Sequence, residues 1–244
     1  MIKAVVLGGQ GEKTNKDLNN KAMVRIRDKA MICYVIDALR DTPSIGDIFV
    51  VGDVAELEKL DLDEAVQLLQ SKPSLIDNVT IALEALKGEK ILLSTSDIPL
   101  ITKDAIEDFV TQGLAVGGDL CYSIISKERI EAKYPDAKRT YAKLAEGYYT
   151  GGNLFLLDTT KVLDHMAIGR KMLENRKNPV KMGKLLGFKI LLKLLLGKLT
   201  IEEIENRVRT QMGILGKAII SNYPEVGNDV DKPEDILLAE KYIL

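Results

Sequence analysis

The feature that most constrains the fold is a regular alternation between short apolar runs and longer segments whose apolar residues recur with helical periodicity. The helical segments lie at 30–41, 74–88 and 101–114. The apolar runs lie at 2–7, 47–52, 119–126 and 153–158, and a further run begins at Lys90. Such alternation is typical of a parallel or mostly parallel sheet that is covered by helices on both faces. We therefore predict an α/β fold around a mostly parallel central sheet.

Two residues mark the ends of predicted helices. Gly88 stands where the second helix is expected to end, because glycine readily adopts the left-handed conformation found at that position. Thr102 is placed so that its hydroxyl can cap the N-terminus of the next helix. These two signals support the assignment of both segments as helices.

The remaining segments are more varied. Residues 127–147 are rich in charge and predict a loop with a β-ribbon. A leucine-rich helical run at 182–199 precedes an acidic helix at 201–210. We expect a strand at 217–220 and a final helix that begins near Pro233.

The leucine-rich run belongs to a larger helical insertion. Since no repeat, low-complexity tract or linker interrupts the sequence, we expect a single domain over residues 1–244 that carries this insertion at about 170–212. The run is too short and too rich in lysine to span a bilayer. It is expected to pack on the body or on a second subunit, to lie at a membrane surface with its lysines at the headgroup boundary, or to form a lid over an apolar acceptor.

Composition excludes several classes of function. The sequence has one histidine, His165, and two cysteines, Cys33 and Cys121, in apolar surroundings. A histidine-based triad and a histidine zinc cluster are therefore excluded, and the cysteines are expected to be reduced thiols. The net charge of -2 provides no global field that would attract nucleic acid. Without a secretory pattern at the N-terminus, we expect a cytoplasmic protein.

The first apolar run ends in a glycine turn of a kind that often contacts phosphate. Leu7, Gly8 and Gly9 are followed by a polar loop over residues 10–20. The first lysine of this loop, Lys13, is preceded by a glutamate rather than by the glycine that an ATPase phosphate loop requires. The dinucleotide fingerprint is absent as well. We expect the backbone amides of the turn to approach a nucleotide, with a lysine of the loop on its phosphates.

Carboxylates and a second glycine pair complete the set of candidate site residues. Asp97 follows an apolar strand, and ligands of open α/β sheets bind at the carboxyl ends of such strands. Asp229 and Asp231 lie in an extended segment, where we expect them to point to opposite sides, so that only one faces Asp97. The glycines at 151–152 allow another backbone to come close.

Four motifs in this order resemble those of the sugar-nucleotide and molybdopterin nucleotidyltransferases, the MobA-like NTP transferases and their pyrophosphorylase relatives. The matching residues are Leu7-Gly8-Gly9, Lys21-Ala22, Asp97-Ile98-Pro99 and Asp231-Lys232-Pro233-Glu234-Asp235. The resemblance extends from Ile2 to Tyr242 and implies a GT-A, Rossmann-like three-layer α/β/α fold.

This sequence departs from the family pattern at three points. No alanine stands between Leu7 and Gly8, and Ala22 occupies the position of the usual proline. The loop also lacks the usual arginine, which leaves Lys13 or Lys16 in its place. Lysine is a point charge without the planar fork of arginine, so the departures concern how the phosphates are held.

The resemblance implies the transfer of a nucleoside monophosphate from an NTP to a phosphorylated small-molecule acceptor, with release of pyrophosphate. It implies that Asp97 and Asp231 hold Mg²⁺, with Asp229 in reserve, and that Lys21 neutralises the phosphates. It further implies that the nucleotide is bound by residues of the turn, the loop and a helix start, and the acceptor by a second group. The nucleotide residues are Leu7, Gly8, Gly9, Lys13, Lys21 and Asn78, and the acceptor residues are Arg139, Thr150, Gly151 and Gly152.

Other interpretations stay open at this point. Asp231 is also well placed to cap the helix that opens at Pro233. A GT-A glycosyltransferase would use an NDP-sugar in place of an NTP. A regulatory module that binds a nucleotide without chemistry would agree with the absence of the loop arginine.

Overall fold

The computed structural model of the protein describes residues 1–9, 20–175, 181 and 187–243, without the side chains of 172–174. Its described strands are β1 (Ile2–Leu7), β2 (Arg25–Ile26), β3 (Lys29–Ala30), β4 (Ile45–Gly52), β5 (Gln67–Gln70), β6 (Lys90–Thr95), β7 (Leu120–Ser126), β8 (Ala142–Leu144), β9 (Gly147–Asp158) and β10 (Gly216–Ile220). The described helices are α1 (Met31–Arg40), α2 (Val54–Leu57), α3 (Leu75–Ala85), α4 (Lys103–Val116), α5 (Lys127–Lys133), α6 (Thr159–Asp164), α7 (Met166–Asn175), α8 (Phe188–Leu195), α9 (Ile201–Met212) and α10 (Pro233–Tyr242). Two short 3₁₀ helices lie at Lys21–Met23 and Pro224–Gly227.

The central sheet has the strand order β10-β7-β9-β6-β1-β4-β5. Strand β8 pairs with the first three residues of β9, Gly147 to Tyr149. The pairings of β1 with β4 and β6, of β4 with β5, and of β10 with β7 are parallel. Strand β9 is the exception, since it runs antiparallel to both of its neighbours in this order, β6 and β7. The sheet is therefore mostly parallel, as the sequence predicts.

Side chains alternate between the two faces of the sheet along each strand. Because apolar side chains lie on both faces, helices pack on both. Ala4 and Val6 of β1 pack in the same core as residues of α1 and α4, among them Phe109. Val5 and Leu7 pack in a second core with Leu83 of α3. The three-layer α/β/α prediction is confirmed.

A third, smaller core lies beside the sheet. It contains Ile26, Met31, Tyr134, Val230 and Ala239, all of which are buried. The β2–β3 hairpin, the start of α1, the loop after α5 and helix α10 meet there. Through Val230 and Ala239, this core anchors the segment that carries Asp229 and Asp231 and the helix α10 that follows it.

The structure corrects the sequence prediction in several segments. Residues 127–133, predicted as part of a loop, form helix α5, and only the ribbon that follows is confirmed, as the β8–β9 hairpin. Strand β9 begins at Gly147, six residues before the predicted start. Short elements without a strong pattern, namely α2, β5, α6 and α7, are absent from the sequence prediction.

Several predictions hold closely. Strand β1 has the predicted bounds, and α10 begins at Pro233. The Thr102 hydroxyl accepts a hydrogen bond from the Ala105 amide at 3.3 Å, as the cap requires. The leucine-rich run is helical at Phe188–Leu195, whereas residues 182–186 lie outside the described residues. None of the helices in the described ranges combines the length and apolarity that are needed to cross a bilayer.

Candidate functional site

The glycine turn and Asp97 emerge side by side at one edge of the sheet. Strands β1 and β6 are parallel neighbours, and Leu7 pairs with Thr95 at their carboxyl ends. Gly8 follows β1, and Asp97 lies two residues beyond β6. The topology thus brings the first and third sequence motifs to the same edge, where α/β sheets bind their ligands.

Three carboxylates gather at this edge. Asp97, Asp229 and Asp231 each place one oxygen so that all three oxygens lie within 4.8 Å of one another. The segment is held in place by the Val230 amide, which donates to the Asp97 carbonyl oxygen at 2.8 Å. Val230 is 2% exposed and packs in the third core.

The expectation that Asp229 and Asp231 point to opposite sides is wrong. In an extended segment, residues two apart share a side, and it is the intervening residue that points the other way. Val230 occupies the core side here, so both aspartates lie on the side of Asp97. The structure therefore includes Asp229, the reserve ligand of the sequence prediction, in the cluster with the other two.

Lys21 lies between two of these carboxylates. It opens the 3₁₀ helix Lys21–Met23, and its Nζ donates to Asp97 Oδ2 at 3.3 Å and to Asp231 Oδ1. Burial on its own would lower the pKa of the Lys21 ammonium, but Asp97 and Asp231 raise this pKa above its ordinary value. Lys21 therefore carries its positive charge throughout the neutral range.

The same lysine also affects Asp231. Burial would raise the pKa of the Asp231 carboxyl, yet the hydrogen bond and the charge of Lys21 hold it below its ordinary value. Asp231 is thus ionised, and a cation already sits at its side. The predicted capping of α10 is carried out instead by Asp235, whose carboxylate accepts from the amides of Asp231 and Lys232.

Asp229 has a different environment, since Arg139 rather than Lys21 is its partner. One terminal nitrogen of Arg139 donates to Asp229 Oδ1 at 2.6 Å, and the other donates to the Asp229 carbonyl oxygen and to Asn228 Oδ1. The Arg139 side chain is 9% exposed. The structure therefore places Arg139, predicted to contact the acceptor, against the loop that carries the acidic cluster.

The cluster fits a hard divalent cation. Asp97 Oδ1 is buried and has no hydrogen-bond partner among the described residues. Burial raises the pKa of the Asp229 carboxyl to about 6. The nearby Arg139 guanidinium lowers this pKa, whereas the negative charges of Asp97 and Asp231 raise it further. An excess of confined negative charge, offered entirely by carboxylate oxygens, is the environment that Mg²⁺ prefers.

The two turn glycines are required by their neighbours. A Cβ atom on Gly8 would lie 2.9 Å from Ile32 Cδ1, and one on Gly9 would collide with Asn78 Nδ2. Asn78 is 2% exposed, and its Oδ1 accepts from the Lys72 amide at 2.7 Å. Asn78 therefore lies against the turn and fixes the loop that precedes α3. The predicted loop lysines at positions 13 and 16 lie outside the described residues.

The second glycine pair lies within β9, not in a turn. A Cβ on Gly151 would collide with the Tyr122 hydroxyl, and one on Gly152 would collide with the Ser123 hydroxyl and lie 2.9 Å from Val226 Cγ1. Val226 belongs to the 3₁₀ helix that leads into Asp229, and its carbonyl accepts from Asn153 Nδ2 at 3.1 Å. Gly152 thus allows the segment before the acidic cluster to seat directly on the sheet, while Thr150 lies beside it on β9.

Sequence reasoning missed three residues of this region. Asn228 is 3% exposed and binds Arg139, and Glu225 is 1% exposed and binds Thr102 and Lys133. The Tyr122 ring stacks on Phe155 at 4.8 Å, and its hydroxyl faces Gly151. The position of Asn228 directly before the Asp-Val-Asp segment was the one available signal. Nothing local in the sequence distinguishes Tyr122 or Glu225.

Comparison with known proteins agrees with this geometry. The sequence profile of the MobA-like NTP transferase domain matches residues 4–175. A structure described as a hypothetical transferase from Thermus thermophilus is 35% identical, with a TM-score of 0.84 over 96% of this chain and 99% of that one. No curated protein gives a significant match to the sequence.

More distant structures share the fold. The 2-C-methyl-D-erythritol 4-phosphate cytidylyltransferase of Francisella tularensis is 12% identical and superposes with a TM-score of 0.63 over the whole of both chains. The enzyme of the same name from Thermus thermophilus is 13% identical, with a TM-score of 0.58 over 99% of this chain and 98% of that one.

Proposed function

The chain belongs to the MobA-like NTP transferase family, and from that premise we propose that it transfers a nucleoside monophosphate from an NTP to a phosphorylated small molecule and releases pyrophosphate. The observation that carries the proposal is the convergence of Lys21 with Asp97, Asp229 and Asp231 beside Gly8. The distant cytidylyltransferases, whose name includes a phosphorylated acceptor, support the same class of reaction.

In the proposed reaction, an oxygen of the acceptor phosphate attacks the α-phosphorus of the NTP in line with the leaving group. A new P–O bond forms to the acceptor, and the bond between the α-phosphorus and the oxygen that bridges to the β-phosphorus breaks. That bridging oxygen leaves with the pyrophosphate. Such a transfer depends on positioning and on neutralisation of charge more than on a strong base.

We propose that Asp97, Asp229 and Asp231 hold Mg²⁺ at this edge. When bound, the ion would neutralise phosphate charge and orient the oxygens around the α-phosphorus. Lys21 has three donors, two of which bind Asp97 and Asp231. Its remaining hydrogen can reach a phosphate oxygen, so that its charge is shared between the cluster and the nucleotide.

The nucleotide is proposed to lie along the turn formed by Leu7, Gly8 and Gly9. The Gly8 amide already donates to the Val51 carbonyl oxygen at 2.8 Å, so the proposed amide contact from the turn is assigned to Gly9, and Asn78 lies directly against Gly9. Lys13 is proposed as the phosphate contact from the polar loop. Together these residues would fix the NTP between the turn and the acidic cluster.

The acceptor is proposed to bind on the other side of the cluster, at Thr150 and Gly151 of β9, which pair with β7. Gly152, which the resemblance also implied as an acceptor residue, is buried beneath Val226 and supports the segment before the cluster instead. Arg139 is assigned a different task from the one that the resemblance implied. Because its two terminal nitrogens are bound to Asn228 and Asp229, we propose that it holds Asp229 in position.

A screen for pyrophosphate release tests the proposed function. Each of the four common NTPs is incubated with phosphorylated alcohols and sugars in the presence of Mg²⁺, and the nucleotidylated product is identified by mass spectrometry. The proposal predicts release with one nucleotide and one acceptor class, and its loss in Asp97→Asn. The matched control is Asp63→Asn, at an exposed carboxylate whose hydrogen bond to the Ala65 amide an asparagine can retain.

With NDP-sugars and a nucleotide-binding measurement added, the same screen also separates the two other interpretations. Turnover that requires an NDP-sugar and releases no pyrophosphate would identify a glycosyltransferase instead. Tight binding of a nucleotide without turnover of any acceptor would identify a regulatory module.

A further inference from the structure

Helix α8 presents an apolar face to solvent. Phe188 is 77% exposed, Leu192 49% and Leu195 76%, and Leu196 just after the helix is 57% exposed. Residues spaced by four and then three positions lie on one side of a helix. Four large apolar side chains therefore form a continuous exposed stripe, which we call the α8 stripe.

The segment around the α8 stripe is strongly basic. Residues 170–198 contain nine lysines and arginines and one acidic residue, Glu174, although the whole chain has a net charge of -2. Among the described residues, Lys181, Lys189 and Lys198 are exposed. The positive charge of the protein is thus concentrated where its apolar side chains are exposed.

The neighbouring β8–β9 hairpin extends this surface. The side chain of Lys143 on β8 lies against Gly197, directly after α8. Its Nζ lies 5.9 Å from the ring of Tyr148, a residue that is 48% exposed. Tyrosine and lysine with apolar stems and polar tips are suited to the boundary between lipid headgroups and acyl chains.

We propose that the α8 stripe and the lysines around it bind the surface of a membrane that contains anionic phospholipids. The leucines and the phenylalanine would enter the boundary between headgroups and acyl chains, and the lysines would remain among the phosphates. The proposal is independent of the proposed reaction, because it uses no residue of the acidic cluster. It commits to one of the alternatives that the sequence leaves open for this segment.

A second copy of the chain fits this surface less well. A two-fold symmetric contact places the patch of one copy against the same patch of the other, so that two basic segments would meet. Glu203, the acidic residue that touches α8, is already paired with Lys193. Like charges at such a contact are unfavourable, whereas an anionic bilayer complements them.

Co-sedimentation of the full-length protein with vesicles tests the proposal. We expect binding at low salt to vesicles of phosphatidylcholine with phosphatidylglycerol, and little binding to phosphatidylcholine alone. The double variant Phe188→Ser/Leu195→Ser should weaken binding about tenfold or more, because apolar insertion is lost. Lys189→Glu/Lys198→Glu should also weaken it and reduce its dependence on salt.

The control for the serine variant is Leu237→Ser, at an apolar residue of α10 that is 67% exposed but lies outside the basic segment. It should bind vesicles as the wild type does. Circular dichroism shows whether each variant is folded. If the serine variant does not fold, the lysine variant still tests the proposal.

Four results would overturn the proposal: no binding to either vesicle, equal binding to both, unchanged binding of both double variants, or an equal loss in Leu237→Ser. Light scattering gives a further test. A dimer that Phe188→Ser/Leu195→Ser converts to a monomer, together with no vesicle binding, would show that a second copy covers this face.

Discussion

The acidic cluster and the α8 stripe are opposites in the kind of side chain that each places in an unfavourable environment. At the cluster, charged groups are held by one another, with Asp97 and Asp231 on Lys21 and Asp229 on Arg139, and all but the exposed Asp231 are partly withdrawn from water. At the α8 stripe, large apolar side chains are exposed to water, whereas many of the leucines and phenylalanines elsewhere in the chain are buried in the core. Both arrangements cost free energy in the isolated chain. We propose that each cost is offset by binding of a partner, a metal nucleotide at the cluster and a lipid surface at the α8 stripe.

This difference predicts which properties a substitution should change in each region. Changes at the cluster should alter chemistry and metal binding, because every group there has a specific partner. Changes at the α8 stripe should leave both unaltered, because its side chains have few contacts within the chain. The predictions below test this separation, in order of the expected size of the effect.

The largest effect is expected for Asp97→Asn. The substitution removes one charge from the site and one oxygen ligand while it retains the shape of the side chain. We expect turnover to fall by about 10²–10³-fold, the range seen when a group that stabilises the transition state is removed. Steady-state pyrophosphate release measures it. A fall of less than about threefold would remove Asp97 from the proposed chemistry.

Arg139→Ala should have the next largest effect. Loss of the guanidinium leaves Asp229 without the donor that orients it, and residues that orient metal ligands are typically worth about 10–100-fold in metal affinity or activity. The Mg²⁺ concentration needed for half-maximal rate should rise, and Arg139→Lys should restore part of the affinity. An unchanged Mg²⁺ requirement with a higher KM for the acceptor would instead support the direct acceptor contact that the resemblance implied.

Gly152→Ala should destabilise the fold. The added methyl group would collide with the Ser123 hydroxyl and would meet Val226 Cγ1 at 2.9 Å and Ile125 Cδ1 at 3.0 Å, and the strain of such overpacking costs about 1–3 kcal/mol. Denaturant unfolding followed by circular dichroism gives the change in the free energy of unfolding.

The matched control for this glycine is Gly169 in α7, where a Cβ would have nothing within 4 Å. Gly169→Ala should raise the free energy of unfolding by up to about 1 kcal/mol, because alanine favours the helix. Equal effects of the two alanines would contradict the packing described for β9.

The smallest effect on the fold is expected at the α8 stripe. Leu195→Ser should change the free energy of unfolding by less than about 0.5 kcal/mol, since the side chain is 76% exposed. Turnover with a water-soluble acceptor should also be unchanged. A loss of stability greater than about 1 kcal/mol, twice the range usual for surface substitutions, would show that the stripe is packed on the chain itself.

The sequence could predict those parts of the fold that depend on local pattern. The bounds of β1, the cap at Thr102 and the start of α10 at Pro233 all follow from residue types at fixed spacings. Helix α5 escapes the sequence prediction although Ser126 caps it, because the high charge of this segment outweighs its helical start.

The parts that failed depend on tertiary contacts. The antiparallel insertion of β9 between β6 and β7 is a matter of strand order, which no local pattern encodes. The partners of Arg139 are likewise beyond the reach of a local pattern, because Asn228 and Asp229 lie about 90 residues further along the chain. The error over Asp229 and Asp231 is different in kind, because the periodicity of an extended chain already places residues two apart on one side.

The central claim is that the three carboxylates bind one divalent cation beside Lys21, and binding of Mn²⁺ tests it most directly. Electron paramagnetic resonance can count free Mn²⁺ in the presence of protein and a non-hydrolysable NTP, with the wild type, Asp97→Asn, Asp231→Asn and the control Asp63→Asn. The account predicts a protein-dependent Mn²⁺ site that is weakened in both cluster variants and kept in the control. Equal Mn²⁺ affinity in all four proteins would contradict it.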